Sequence, residues 1–257
     1  MNLFKKLFIQ ILKLKGYQLI KLNENFDKLP IELSVNDKET LEYIIDKKLS
    51  MTPIPRLITT VKACKYILDN NINGDFIECG VWRGGHAILA KKIFEANGSN
   101  KNVFLYDTFS GMTKPQERDI SYITKEKAII DYESNQKNHH NDWCYASLED
   151  VKKNCIDAGL NMNEIHFIKG DVCETLNDKL NLPDKISIIR LDTDWYKSTI
   201  KELEVLYPIL SKNGVLMVDD YGHWQGSKQA VDEYFDRKGF TPLLNLTDYS
   251  ARICIKT

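Results

Sequence analysis

The stretch Asp75-Phe-Ile-Glu-Cys-Gly-Val-Trp-Arg-Gly-Gly-His86 decides the fold. A short apolar strand runs into a turn that holds Gly80, Gly84 and Gly85. A helical run, Ala87-Ile-Leu-Ala-Lys-Lys-Ile-Phe-Glu-Ala96, follows. In an α/β protein, strand, glycine turn and helix together bring a ligand close to the backbone. Glycine tolerates positive φ and leaves no Cβ in the way, and the first N–H groups of the helix are free donors. The spacing is E-x-G-x-x-x-G-G, not the G-x-G-x-x-G dinucleotide fingerprint. With Glu78 two residues before the first glycine, it suits a nucleoside ligand carrying a cation better than a pyrophosphate. A glycine turn that only packs is the competing reading.

Downstream, apolar strands are expected over residues 102–107, 164–169, 186–191 and 215–218, with helices between them over about 147–159, 196–210 and 225–237. Residues 240–244 and 251–256 read as a closing antiparallel pair. The alternation predicts an open, mostly parallel sheet with an antiparallel edge and helices on both faces. The long polar stretch from residue 113 to about 146 carries no regular period, which marks an acceptor lid or a disordered loop.

Upstream, Met51-Thr-Pro-Ile-Pro-Arg56 is a rigid lead-in to a helix over about 56–70. Residues 1–50 read as a helical extension, and residues 51–257 as the main domain. Within residues 1–22, Phe4, Leu7, Ile11 and Leu14 recur at helical spacing with Lys6 and Lys13 opposite. The segment is too short and too charged to span a bilayer, and no cleavage site follows it. Packing on the domain or on a second subunit, and lying on a membrane surface, both stay open. A homo-oligomer is expected.

Composition narrows the partners. Lys+Arg is 35 and Asp+Glu is 36 over 257 residues, a formal charge of -1, so no nucleic acid is expected. At 43% hydrophobic there is material for a full core. The six cysteines form no C-x-x-C pair and mostly sit in apolar runs, which indicates buried thiols in a reducing, cytoplasmic setting.

Acids crowd the expected strand ends: Glu78, Asp107, Asp171, Asp192, Asp194, Asp219 and Asp220. In a parallel sheet these ends share one edge. Asp107, at the end of the second strand, can accept both hydroxyls of a ribose, or serve as a turn aspartate. Asp192 and the Asp219-Asp220 pair leave neighbouring strands. Carboxylates converging there repel one another unless a cation joins them, and an all-oxygen set suits Mg²⁺ or Ca²⁺, while zinc would want His or Cys. Capping of the following helices is the bland reading of the same aspartates.

These blocks, with Asp107-Thr-Phe-Ser-Gly111, Ile168-Lys-Gly-Asp-Val-Cys-Glu-Thr-Leu176, Arg190-Leu-Asp-Thr-Asp-Trp-Tyr-Lys-Ser-Thr199 and Val218-Asp-Asp-Tyr221, resemble the macrocin O-methyltransferase (TylF/MycF) family over about residues 51–235. The resemblance implies a class I methyltransferase, Rossmann-like in fold, that uses S-adenosylmethionine and a divalent metal to methylate a sugar hydroxyl. It implies that Glu78, Gly80, Trp82, Gly84 and Gly85 hold the methionine end of the cofactor. Asp107 and Ser110 would hold the ribose, and Asp171 would lie near the adenine. Arg56 would approach the cofactor carboxylate, or be an ordinary surface arginine. Asp192, Asp219 and Asp220 would chelate Mg²⁺, with Asp194 a neighbour or substitute ligand. A base must take the hydroxyl proton. Asp192, His223, His139 and His140 are candidates, and packing is the alternative for His223. The acceptor is expected to be a small molecule or glycan, at the inner face of a membrane if the basic N-terminal segment acts there. A nicotinamide-dependent dehydrogenase and a non-catalytic nucleoside-binding module are the alternatives.

Overall fold

The computed structural model describes residues 29–257. The helix expected over residues 1–22, with its membrane and subunit readings, lies outside the described residues. The chain divides into two compact units, residues 1–39 and 40–257, and the expected boundary after residue 50 falls inside the second. In the first unit, Ser34 and Asp37 cap the start of helix α1 (Val35–Asp46) reciprocally. The Ser34 N–H donates to Asp37 Oδ2 at 2.7 Å, and the Asp37 N–H to Ser34 Oγ at 3.2 Å. Among the described residues no helix is long and apolar enough to cross a membrane.

The second unit contains β1 (Asp75–Cys79), β2 (Val103–Asp107), β3 (Ile165–Lys169), β4 (Ile186–Leu191), β5 (Leu210–Val218), β6 (Asn245–Leu246) and β7 (Arg252–Ile255) in one sheet of order β3-β2-β1-β4-β5-β7-β6. The first five are parallel, and β7 runs antiparallel to β5 and β6. Helices α2 (Ile54–Asp69), α3 (Gly85–Ala96), α4 (Ala128–Ser134), α5 (Leu148–Asp157), α6 (Val172–Thr175), α7 (Tyr196–Ile209) and α8 (Gln225–Lys238) fill the connections. α2 packs on α3, and α7 packs on α8. Every residue of β4 is buried, as expected of a central parallel strand covered on both faces. Side chains alternate between those faces. Ile77, Ile189, Leu191, Leu216 and Val218 share a core with Leu203, Leu206 and Tyr207 of α7 and with Val231, Tyr234 and Phe235 of α8. Glu78 and Arg190 take the other parity, and the β1–β4 register sets them side by side.

Two expectations need correction. The closing hairpin does not start at residue 240. Pro242 lacks the N–H that a ladder requires, so pairing begins only at Asn245, opposite Ile253, and Leu243 stays exposed. β5 starts at Leu210, directly after the Pro208-containing end of α7. Residues 211–214 form an irregularity that shifts the register from Ile186↔Leu210 to Ile188↔Val215. The stretch after residue 113 has local structure of its own. It holds α4 and is pinned by Asp119, fully buried, which accepts the N–H groups of Gln116 at 2.7 Å and Tyr196 at 3.0 Å.

Strand order reverses between β1 and β4, so the crevice for a ligand lies at their carboxyl ends. Gly80 lets the chain turn there. Its φ is +83°, and a Cβ would stand 1.9 Å from the Asp192 carbonyl oxygen.

Candidate active site

A cavity of about 360 Å³ opens at this edge. One wall is the turn after β1, with Gly80, Val81, Trp82 and Gly85, and Glu78 lies beneath it. Asp107 ends β2, Asp171 stands just past β3, and Asp192, Asp219 and Asp220 stand past β4 and β5. Backbone strain gathers around it: Trp82, Cys144 and Asp194, all lining the cavity, have φ of 47°, 54° and 67°. Non-glycine residues hold such values only where surrounding structure compels them.

Carboxylate oxygens of Asp192, Asp219 and Asp220 approach within 4.8 Å of one another. Burial, then repulsion among neighbouring acids, pushes the Asp220 carboxyl well above the usual range. Burial does the same to Asp192, although Arg190 pulls against it. Asp194 does not join the group. Its Oδ1 accepts the Trp224 indole N–H at 2.6 Å, and its backbone N–H donates to Asp220 Oδ2 at 3.1 Å.

Arg190 was assigned no role from sequence, yet it organises the acids. Its side chain is 2% exposed. Nη1 donates to Glu78 Oε1 and Asp192 Oδ2, both at 2.8 Å, and Nη2 donates to Asp219 Oδ1 at 2.7 Å. A charge inside the apolar run Ile-Ile-Arg-Leu was the available signal, since a buried arginine requires carboxylate partners. Glu78 is pushed up to about 7 by burial, against the pull of Arg190. Its Oε2 is buried without a partner among the described residues. Asp248 and Tyr249 also went unnoticed; no local motif marks them, and the turn between β6 and β7 brings them in.

Arg56 lines the cavity but is committed elsewhere. Nη1 pairs with Asp219 Oδ2, and Nε pairs with Asp248 Oδ2 at 2.7 Å, so two of its three nitrogens are already held by carboxylates. Asp107 binds the turn itself. Its Oδ2 accepts the N–H groups of Val81 at 2.7 Å and Trp82 at 3.1 Å, and its Oδ1 that of Phe109 at 2.7 Å. Asp171 Oδ1 caps α6 through the Cys173 N–H at 2.9 Å. Ser110 and Gly84 do not line the cavity, whereas Thr108 does. His223 lines it, with Nδ1 at 3.0 Å from the Tyr249 hydroxyl, and burial lowers its pKa. His139 and His140 line no part of it, and His140 bonds Asp142 and stacks on Tyr145.

Sheet order, glycine turn and acid-lined switch point together define a class I S-adenosylmethionine-dependent methyltransferase. The Macrocin-O-methyltransferase (TylF) family description matches residues 21–254. The chain is 32% identical over 187 residues to the demethyldecarbamoylnovobiocin O-methyltransferase of Streptomyces niveus, covering 72% of this chain and 67% of that protein. It is 31% identical over 196 residues to the mycinamicin III 3''-O-methyltransferase of Micromonospora griseorubida, covering 75% and 72%. The solved O-methyltransferase NovP superposes with a TM-score of 0.71 at 29% identity, covering 81% of this chain and 82% of that one. The chain belongs to the macrocin O-methyltransferase family and is an S-adenosylmethionine-dependent O-methyltransferase. That membership displaces the dehydrogenase and the non-catalytic module.

Proposed function

We propose that the chain methylates a hydroxyl of a sugar-bearing small molecule or glycan, with a divalent cation, Mg²⁺, held by Asp192, Asp219 and Asp220. The convergence of their oxygens within 4.8 Å carries this reading. The donor set fits a hard cation: it is all oxygen, and Asp192 and Asp220 are held above the carboxylate range at a spot where a dication would restore their charge. When bound, the cation lowers the pKa of a coordinated hydroxyl. The relatives' names support a sugar acceptor, since one acts on a rhamnosyl-tetracenomycin at its 4' position.

The residues around the turn fit the methyl donor. The unpartnered Oε2 of Glu78 is an acceptor for an ammonium, and Gly80 and Gly85, which line the cavity beside it, are assigned to the same end of the donor. Trp82 goes with the turn to the methionine end, and Asp107 and Asp171 are assigned to the nucleoside, Asp107 using the lone pairs its backbone bonds leave free. The donor supplies an electrophilic methyl on a sulfonium. The chain's work is to hold the acceptor oxygen in line with it, worth several kcal/mol in orientation. Asp192 and His223 are the groups that can take the proton, and the lowered pKa of His223 keeps its imidazole neutral and able to accept at pH 7. The segment over residues 113–146 is assigned to the acceptor, and the six free thiols support a cytoplasmic setting.

Calorimetric titration of chelator-treated protein tests the assignment. S-adenosylhomocysteine binding at micromolar affinity with no heat from NAD, and Mg²⁺ binding that vanishes in Asp219→Asn and Asp220→Asn, are expected. Methyl transfer that survives both substitutions would end the metal reading.

A further inference from the structure

Three tryptophans from separate parts of the chain meet beside the acids. Trp195 lies 5.1 Å from Trp224 and 5.5 Å from Trp143 between ring centroids, and Trp143 lies 6.1 Å from Trp224, all edge-to-face. Trp143 and Trp224 line the cavity, and Trp195, 2% exposed, backs them. Two of the polar edges are already spent. Trp195 Nε1 donates to the Thr113 carbonyl at 2.9 Å, and Trp224 Nε1 donates to Asp194. The Trp143 N–H has no protein acceptor among the described residues. Trp143 is firmly placed: its N–H group in the backbone bonds Asn141 Oδ1 at 2.9 Å, and Gly111, φ +85°, lets the chain close over the Asn141 carbonyl.

Trp224 is 5% exposed and packed by Trp195, Trp143 and His223, so the indole surface the cavity offers is that of half-buried Trp143, with its free indole donor. Through Asp194, Trp224 is two hydrogen bonds from Asp220. A ligand with a hydroxyl at the acids has the rest of its ring against this corner. A single accessible indole does not make the parallel slot that a flat aromatic fills on both faces. It suits a puckered ring with C–H groups on its sides and hydroxyls at its rim. We propose that Trp143, backed by Trp195 and Trp224, forms the platform for the pyranose ring of the acceptor, which makes Trp143 a specificity-determining residue. This rests on the sugar O-methyltransferase reading given above.

Saturation-transfer difference NMR on the full chain with S-adenosylhomocysteine and Mg²⁺ tests it, with methyl glycosides of hexoses and 6-deoxyhexoses as probes and catechol as the flat rival. Irradiating the aromatic protons should saturate the ring C–H protons of a glycoside. The signal should drop in Trp143→Ala and be largely kept in Trp143→Phe. In turnover, Trp143→Ala should raise KM for that glycoside about two- to tenfold with little change in kcat, the range expected for one lost aromatic contact. Trp143 is half-buried, so the variant is expected to fold, and far-UV circular dichroism checks this. Glycosides that are methylated but receive no aromatic saturation, or a Trp143→Ala with unchanged KM, overturn the platform while leaving the reaction class intact. Saturation of catechol with none of any glycoside overturns both the platform and the sugar reading.

Discussion

Replacing Arg190 with methionine removes the cation shared by Glu78, Asp192 and Asp219 while keeping most of the side-chain volume. The three carboxylates do not suffer equally. Asp219 keeps Arg56, and the Asp192 side chain is 27% exposed and can recruit water. Glu78, at 1% exposure, is left buried and unpaired. Breaking a buried pair from one side costs about 3–5 kcal/mol, a large part of the roughly 5–15 kcal/mol that holds a domain folded. With a urea dependence of about 3 kcal/mol per M for a chain of this size, the unfolding midpoint should fall by about 1–1.7 M at pH 8. The sign of the pH effect is fixed as well. Glu78 sits at about 7 in the folded protein, above its unfolded value, so its contribution is complete at low pH and fades as pH rises through 7. Without Arg190 the carboxyls hold their protons to still higher pH, so the deficit should be greatest at pH 8 and shrink towards pH 5. Arg190→Lys should recover part of the loss. Urea melts at both pH values decide the matter. A deficit below about 1 kcal/mol at pH 8, or one that does not shrink on acidification, would refute the view that Arg190 is the counter-ion of the cluster.

Other outcomes follow from the same geometry. Glu202 is fully buried, with Oε2 unpartnered and Oε1 accepting from Thr193 at 2.8 Å, and burial pushes it up to about 8. Ionising it destabilises the fold, so wild-type stability should fall relative to Glu202→Gln as pH rises from about 4.5 through 8; parallel melts across that range would exclude the assignment. Asp107→Ala frees the N–H groups of Val81, Trp82 and Phe109, which should cost about 1–3 kcal/mol in urea melts and weaken S-adenosylhomocysteine binding about tenfold or more. Asp219→Asn and Asp220→Asn should lose Mg²⁺ heats yet retain S-adenosylhomocysteine binding, since Glu78 and the glycine turn are untouched; loss of both would mean that the acids serve the cofactor or the fold.

Local pattern carried much of the architecture. The span of α3 and the whole of β4 agree with their expected ranges, because each is a continuous apolar or periodic run bounded by glycine or acid. The acids at the strand ends were legible for the same reason: once strands are parallel, residues that follow them share an edge. What failed was local in a different way. Pro242 moved the closing pair, and the insertion before Val215 belongs to a strand that continues on both sides of it.

The charge balance of the site was decided by tertiary structure. Residues 78 and 190 become partners only because β1 lies beside β4 in one register, and Arg56 meets Asp248 across 192 positions of chain. Trp143, Trp195 and Trp224 likewise occupy three unrelated connections. The sequence by itself determined the sheet, the turn and the row of carboxylates, since these depend on near neighbours and on strand order. Which carboxylates carry arginines, which of them group together, and which aromatic rings stand beside them depend on contacts between distant segments, and those exist only once the sheet has closed.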